Sequence, residues 1–181
     1  MYAQETEAFV NAFSGPRPYW LIDQKRIDQL KKCFANNFFF EVGPTGKKIV
    51  TGSDWIEDYP ELSQVLKDCA NLRKQFLPYF TNGVFIGDCI LDEPCNNAHI
   101  ASYVLNDKVL VIAINLEEPQ SIVLDCNINL WLETEAQNHQ IKSYNESGEL
   151  LETNECPGKQ ELRTPELQNL EIAIFEIIPG N

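Results

Sequence analysis

Beyond Gly83 the apolar residues change their spacing, and this change constrains the fold more than any other feature. Before it, Leu62, Val65, Leu66, Cys69, Leu72, Phe76 and Phe80 recur at helical intervals and make one stripe over 62–80. After it, Ile122, Leu124, Cys126, Ile128 and Leu130 share one phase, while Asp125, Asn127 and Asn129 take the other. That two-residue period belongs to strands with one face inward. The chain therefore reads as a helical front and a strand-rich back.

Local signals fill in both parts. Asp23 is placed to cap a helix whose face carries Ile27, Leu30 and Phe34, ending near Asn36 and Asn37. Phe38, Phe39, Phe40, Glu41 and Val42 form a short run of high strand propensity, closed by Gly43 and Pro44. Being apolar without alternation, it suits a strand covered on both faces. Asp58, Pro60 and Glu61 mark the start of the longest helix, and Pro78 and Gly83 bring it to an end. Further on, 102–105 and 108–115 read as a hairpin joined by Asn106 and Asp107. Additional strands are expected through 122–130 and at 140–144, 149–153 and 170–178, with a turn at 145–148. The expected class is α+β: a helical βα segment over 1–83, then an antiparallel β-sandwich over 84–181.

Charge narrows the partners. Twenty-seven acidic residues against 14 basic ones leave a net charge of −13. Such a field repels nucleic-acid backbones and anionic membrane surfaces, so neither is expected as a partner. No apolar run approaches the roughly 18 residues a membrane span needs. Residues 1–16 lack a basic and apolar leader, which places a complete chain in the cytoplasm; if the chain is a fragment, its front says nothing about location.

Chemical motifs are few. The six cysteines contain no Cys-x-x-Cys pair, against a zinc or redox centre. Cys33, Cys69 and Cys126 fall on apolar phases and read as buried thiols, while a Cys89–Cys95 disulfide stays open. His99 and His139 have no recognisable catalytic partners, and no phosphate-binding glycine motif is present. No cofactor is expected. Trp131 falls on the outward phase of its strand, where it would serve as a contact to the helical part.

The order of elements resembles the end of a (β/α)8-barrel glycoside hydrolase, whose last barrel helix leads into a C-terminal antiparallel sandwich. The run from Leu72 to Phe80 with Gly83, Val84 and Phe85 looks like the last barrel helix and its exit. Residues 105–115 look like the first sandwich hairpin, and 164–179 like its closing strand. A complete barrel takes about 250 residues, so the resemblance implies that most of one is missing and that this chain alone is inactive.

It also implies a site. Were 38–42 the last barrel strand, Glu41 would reach the catalytic face, where hydrolases of this type place their paired carboxylates. Asp54 and Tyr59 would line the same rim, and Trp55 would stack on a sugar ring. On the bare residues, Glu41 equally well leaves a buried strand for solvent. The implied partners are carbohydrate and the remainder of the barrel. The alternative function is a free-standing sandwich module for binding or protein interaction; an inactive remnant is the third.

Overall fold

The computed structural model describes residues 24–38, 59–132, 139–156 and 160–180. The chain divides into two compact units, Met1–Ala70 and Asn71–Asn181.

In the first unit, α1 (Gln24–Ala35) presents Ile27 and Leu30. Leu30 is buried with Leu62, and Tyr59, Val65 and Leu66 pack around the pair. The helix stops at Asn37, which takes a left-handed φ of 57°. Asparagine tolerates that conformation, and it lets the Phe38 N–H return to the Cys33 carbonyl at 2.8 Å. Helix α2 (Pro60–Gln75) begins in this unit and ends in the second.

The stripe expected as one helix through Phe80 is broken at Phe76, and a short α3 (Leu77–Asn82) follows. Pro78 explains the break, since it has no N–H to give and its ring clashes with the preceding turn. At Gly83 the backbone N–H bonds to the Tyr79 carbonyl at 3.0 Å. A side chain on Gly83 would strike that carbonyl.

Among the described residues eight strands follow: β1 (Val84–Phe85), β2 (Ala98–Leu105), β3 (Lys108–Asn115), β4 (Gln120–Cys126), β5 (His139–Tyr144), β6 (Leu150–Cys156), β7 (Gln160–Leu167) and β8 (Ile172–Pro179). Six make an antiparallel sheet in the order β1-β2-β3-β8-β5-β6, and β4 pairs with β7 in a second, smaller sheet. The β2–β3 hairpin turns at Asn106, with φ 53°, as the Asn-Asp pair suggests.

Between the sheets lies an apolar core. Val109, Val111 and Ala113 of β3, Phe175 and Ile177 of β8, and Ile141 of β5 meet Ile122, Leu124 and Cys126 of β4 and Leu162 and Leu167 of β7. Strand β3 is buried at every position from Val109 to Asn115, so both its faces are covered and its sequence does not alternate. The buried Asn115 amide donates to the Leu167 carbonyl at 3.0 Å and the Glu117 carbonyl at 3.1 Å. Its oxygen accepts from Gln120 Nε2 at 3.1 Å, so the amide is paired on both ends, as a buried amide must be.

The structure departs from the sequence pattern in three places. Strand β4 stops at Cys126; Asn127 leaves the extended conformation, and a 3-10 turn over Ile128–Leu130 follows. Ile128 stays buried, but Leu130 is 71% exposed rather than inward. The expected closing strand over 164–179 is two strands, β7 and β8, separated at Leu170, whose φ is 64°. Finally, β7 carries an irregularity: two residues, Thr164 and Pro165, stand opposite Ile122 alone. There the Thr164 hydroxyl accepts the Ile122 N–H at 2.9 Å and donates to the Pro165 carbonyl at 2.7 Å.

Candidate functional site

Of the residues singled out from sequence, Glu41, Asp54 and Trp55 lie outside the described residues. Tyr59 is half-buried at the start of α2, where it packs on the Leu30–Leu62 cluster. Trp131 is corrected: it follows the 3-10 turn instead of sitting on a strand, and it packs on the sandwich core. Its indole N–H has no hydrogen-bond partner among the described residues.

Cys89 and Cys95 are free thiols, as are the buried Cys33, Cys69 and Cys126. The Cys95 thiol donates to Asn97 Oδ1 at 3.0 Å. Burial pushes the Cys126 thiol up to about 12 and the Cys33 thiol up to about 11, so both stay protonated and unreactive near neutral pH. Among the described residues, no group of three or more His, Cys, Asp or Glu side chains is set to hold a metal ion. No helix among them is long and apolar enough to cross a membrane.

Two polar arrangements stand out in the second unit. The first is a clamp on Glu176 of β8. Tyr79 of α3 donates to its Oε1 at 3.0 Å and Tyr144 of β5 to its Oε2 at 3.1 Å. Burial, followed by the nearby Glu176 charge, pushes Tyr144 up to about 12 and Tyr79 well above the usual tyrosine range. Phe76 lies edge-on to the Tyr144 ring, with centroids 5.2 Å apart. Every member is tied to another, which is the arrangement of a structural fastener.

The second is a cleft of about 140 Å³ lined by Ile141 and Ser143 of β5, Glu152 and Asn154 of β6, Glu161, Leu162 and Arg163 of β7, and Phe175 of β8. Strand pairing explains the lining. Asn154 stands opposite Ile141 and Glu152 opposite Ser143, so both β6 residues share the inward face of β5. Among the described residues strand β7 pairs with β4 and not with β6, so β6 and β7 flank a gap. Arg163 Nη2 pairs with Glu161 Oε1 at 3.0 Å. The side chains of Ser143, Glu152 and Asn154 make no hydrogen bond within the described residues. Ser143 is only 5% exposed. On the same face of β5, His139 is 1% exposed and neither ring nitrogen has a partner among the described residues. Burial holds its pKa below the usual histidine range.

None of the cleft residues was evident from sequence. The available signal was β6 itself, whose Glu152 and Asn154 put polar groups on the phase that faces inward in β5.

This fold has known counterparts. It is one found in glycoside hydrolases. A solved glycoside hydrolase matches 79% of this chain with a TM-score of 0.54 and 12% identity, over 33% of its own length. A family 5 glycoside hydrolase from Bacteroides vulgatus matches 84% of the chain, also with a TM-score of 0.54 and 12% identity, over 36% of its length. An α-amylase from Geobacillus thermoleovorans, solved with acarbose, matches 91% of the chain with a TM-score of 0.51 and 18% identity, again over 36% of its length. The chain thus spans about a third of the proteins it resembles. At such identities the likeness is one of fold. No protein-family model and no curated protein matches the sequence.

Proposed function

We propose that this chain is the C-terminal portion of a carbohydrate-active enzyme of the glycoside hydrolase type, and that it has no turnover by itself. One observation carries the reading: the fold matches 79–91% of this chain but only 33–36% of each hydrolase. Glycosidic cleavage needs two carboxylates on either side of the bond, held on a common frame. In the proposed arrangement Glu41 supplies one of them at the end of the last barrel strand. Asp54, Trp55 and Tyr59 line the rim and hold the sugar. The second carboxylate comes from barrel strands outside this sequence, and the sandwich stabilises the barrel.

The purified chain should leave a broad panel of chromogenic glycosides uncleaved. An immunoblot of the source cells should show a gene product longer than 181 residues. Turnover by this chain that disappears in Glu41→Gln would overturn the inactivity and make Glu41 catalytic within these residues alone. A native product of 181 residues would instead favour a free-standing module.

A further inference from the structure

We infer that the cleft between β6 and β7 is a binding site for one neutral sugar ring. The choice of sugar as the ligand class rests on the carbohydrate reading above; the cleft itself does not.

Its chemistry is that of polyol recognition. Ile141, Leu162 and Phe175 supply an apolar floor, against which the C–H face of a ring can lie. Around that floor stand a hydroxyl, an amide, two carboxylates and a guanidinium, from Ser143, Asn154, Glu152, Glu161 and Arg163. Carboxylates accept, guanidinium donates, and the amide and hydroxyl do both, so adjacent ring hydroxyls find partners of either sense.

The polar groups on the β5–β6 side are uncommitted. Ser143 is 5% exposed and lines the cleft, so its hydroxyl is open to a group that enters there. The two carboxylates outnumber the single guanidinium, which disfavours an anion. A divalent cation is also poorly served, since these two carboxylates belong to no metal-holding group among the described residues. At about 140 Å³ the cleft is well below the roughly 300–1,000 Å³ of a drug-sized pocket. It takes one ring, not a chain.

The test is a titration of the full 181-residue chain, labelled for two-dimensional NMR, with glucose, xylose, mannose and galactose added separately. At least one sugar should shift the amide signals of Ser143, Glu152 and Asn154, with a Kd on the order of 1 mM. Asn154→Ala and Glu152→Ala, both at exposed positions, should each weaken binding about tenfold while leaving the melting temperature unchanged. No response in these signals to any of the sugars would overturn the site, and so would a response only to guanidinium ion added as a cationic probe. The two readings fail separately. Sugar binding by a native product of only 181 residues keeps the cleft and removes the missing barrel; a longer product with a silent cleft does the reverse.

Discussion

The two faces of the six-stranded sheet are closed by different chemistry. Toward β4 and β7 the seal is mainly aliphatic, with Ile122, Leu124, Leu162 and Leu167 meeting Val109, Val111 and Ile177. On the opposite face Leu110, Ile112, Ile114 and Ile174 are buried too, but aromatic rings and a carboxylate are added to them. Phe80 lies edge-on to Tyr103 with centroids 5.0 Å apart, Phe85 packs on the same ring at 5.2 Å, and Tyr79 and Tyr144 hold Glu176. Arg73 sits over the Phe80 ring, 5.1 Å from its centre. The aliphatic seal works by volume and tolerates sliding. The aromatic one adds directional contacts that fix where residues 71–85 lie on the sheet.

Phe76→Ala is the sharpest test of that difference. Loss of this buried ring should cost about 3–5 kcal/mol, a large part of a domain's stability. Calorimetry should show the transition of the second unit moving down, as it should for Ile122→Ala on the aliphatic side, which removes about 2–5 kcal/mol. If Phe76→Ala melted like the parent while Ile122→Ala did not, the aromatic face would be a loose cover and the comparison would fail.

The clamp comes next. Glu176→Ala removes two hydrogen bonds to a charged acceptor and should cost about 1.5–3 kcal/mol. The tyrosines also give it a signature in base. Their folded pKa values are raised, so the unfolded chain loses those protons first. The stability they hold is complete below the ordinary tyrosine pKa of about 10 and is lost as pH climbs above it. Urea denaturation from pH 9 to 11 should therefore steepen with pH, and the double variant Tyr79→Phe, Tyr144→Phe should flatten the curve. An unchanged slope would remove the tyrosines from the fastening.

The smallest effect belongs to the aliphatic side. His139 is buried without a partner among the described residues, so His139→Leu should stabilise the fold by up to about 1 kcal/mol. Its depressed pKa means that the unfolded chain takes up the proton first. Wild-type stability should then fall relative to the variant as pH drops below about 6.5. Parallel curves for the two proteins between pH 7 and 5 would show that the imidazole finds a partner after all.

Legibility in the sequence followed solvent contact. β4 alternates over 120–126 because only one of its faces is buried, and its strand character could be read directly. Its end could not, because Ile128 keeps the inward phase while the backbone has already turned. Helix α1 and the start of α2 carry apolar stripes that act locally, and both helices appear where expected, while the caps expected at Asp23 and Asp58 lie outside the described residues. β7 was hidden because its proline reads as a stop, and the irregularity that accommodates it depends on Ile122, far off in the sequence. The cleft was hidden for a similar reason. Its residues come from four strands, and nothing local announces that β7 and β6 do not pair with each other. Glu41, Asp54 and Trp55 rest on the resemblance alone, since they lie outside the described residues.

The irregularity in β7 has an effect between molecules as well as within one. Among the described residues β7 pairs with β4 alone, and an unpaired strand edge is a template on which a strand from another copy could nucleate. Pro165 interrupts that row with a residue that has no N–H, and the extra residue beside it throws the edge out of register. Glu161, Arg163 and Glu166 add charge along the same stretch. A proline, a bulge and charges together disfavour strand addition along this edge and so guard it against edge-to-edge aggregation.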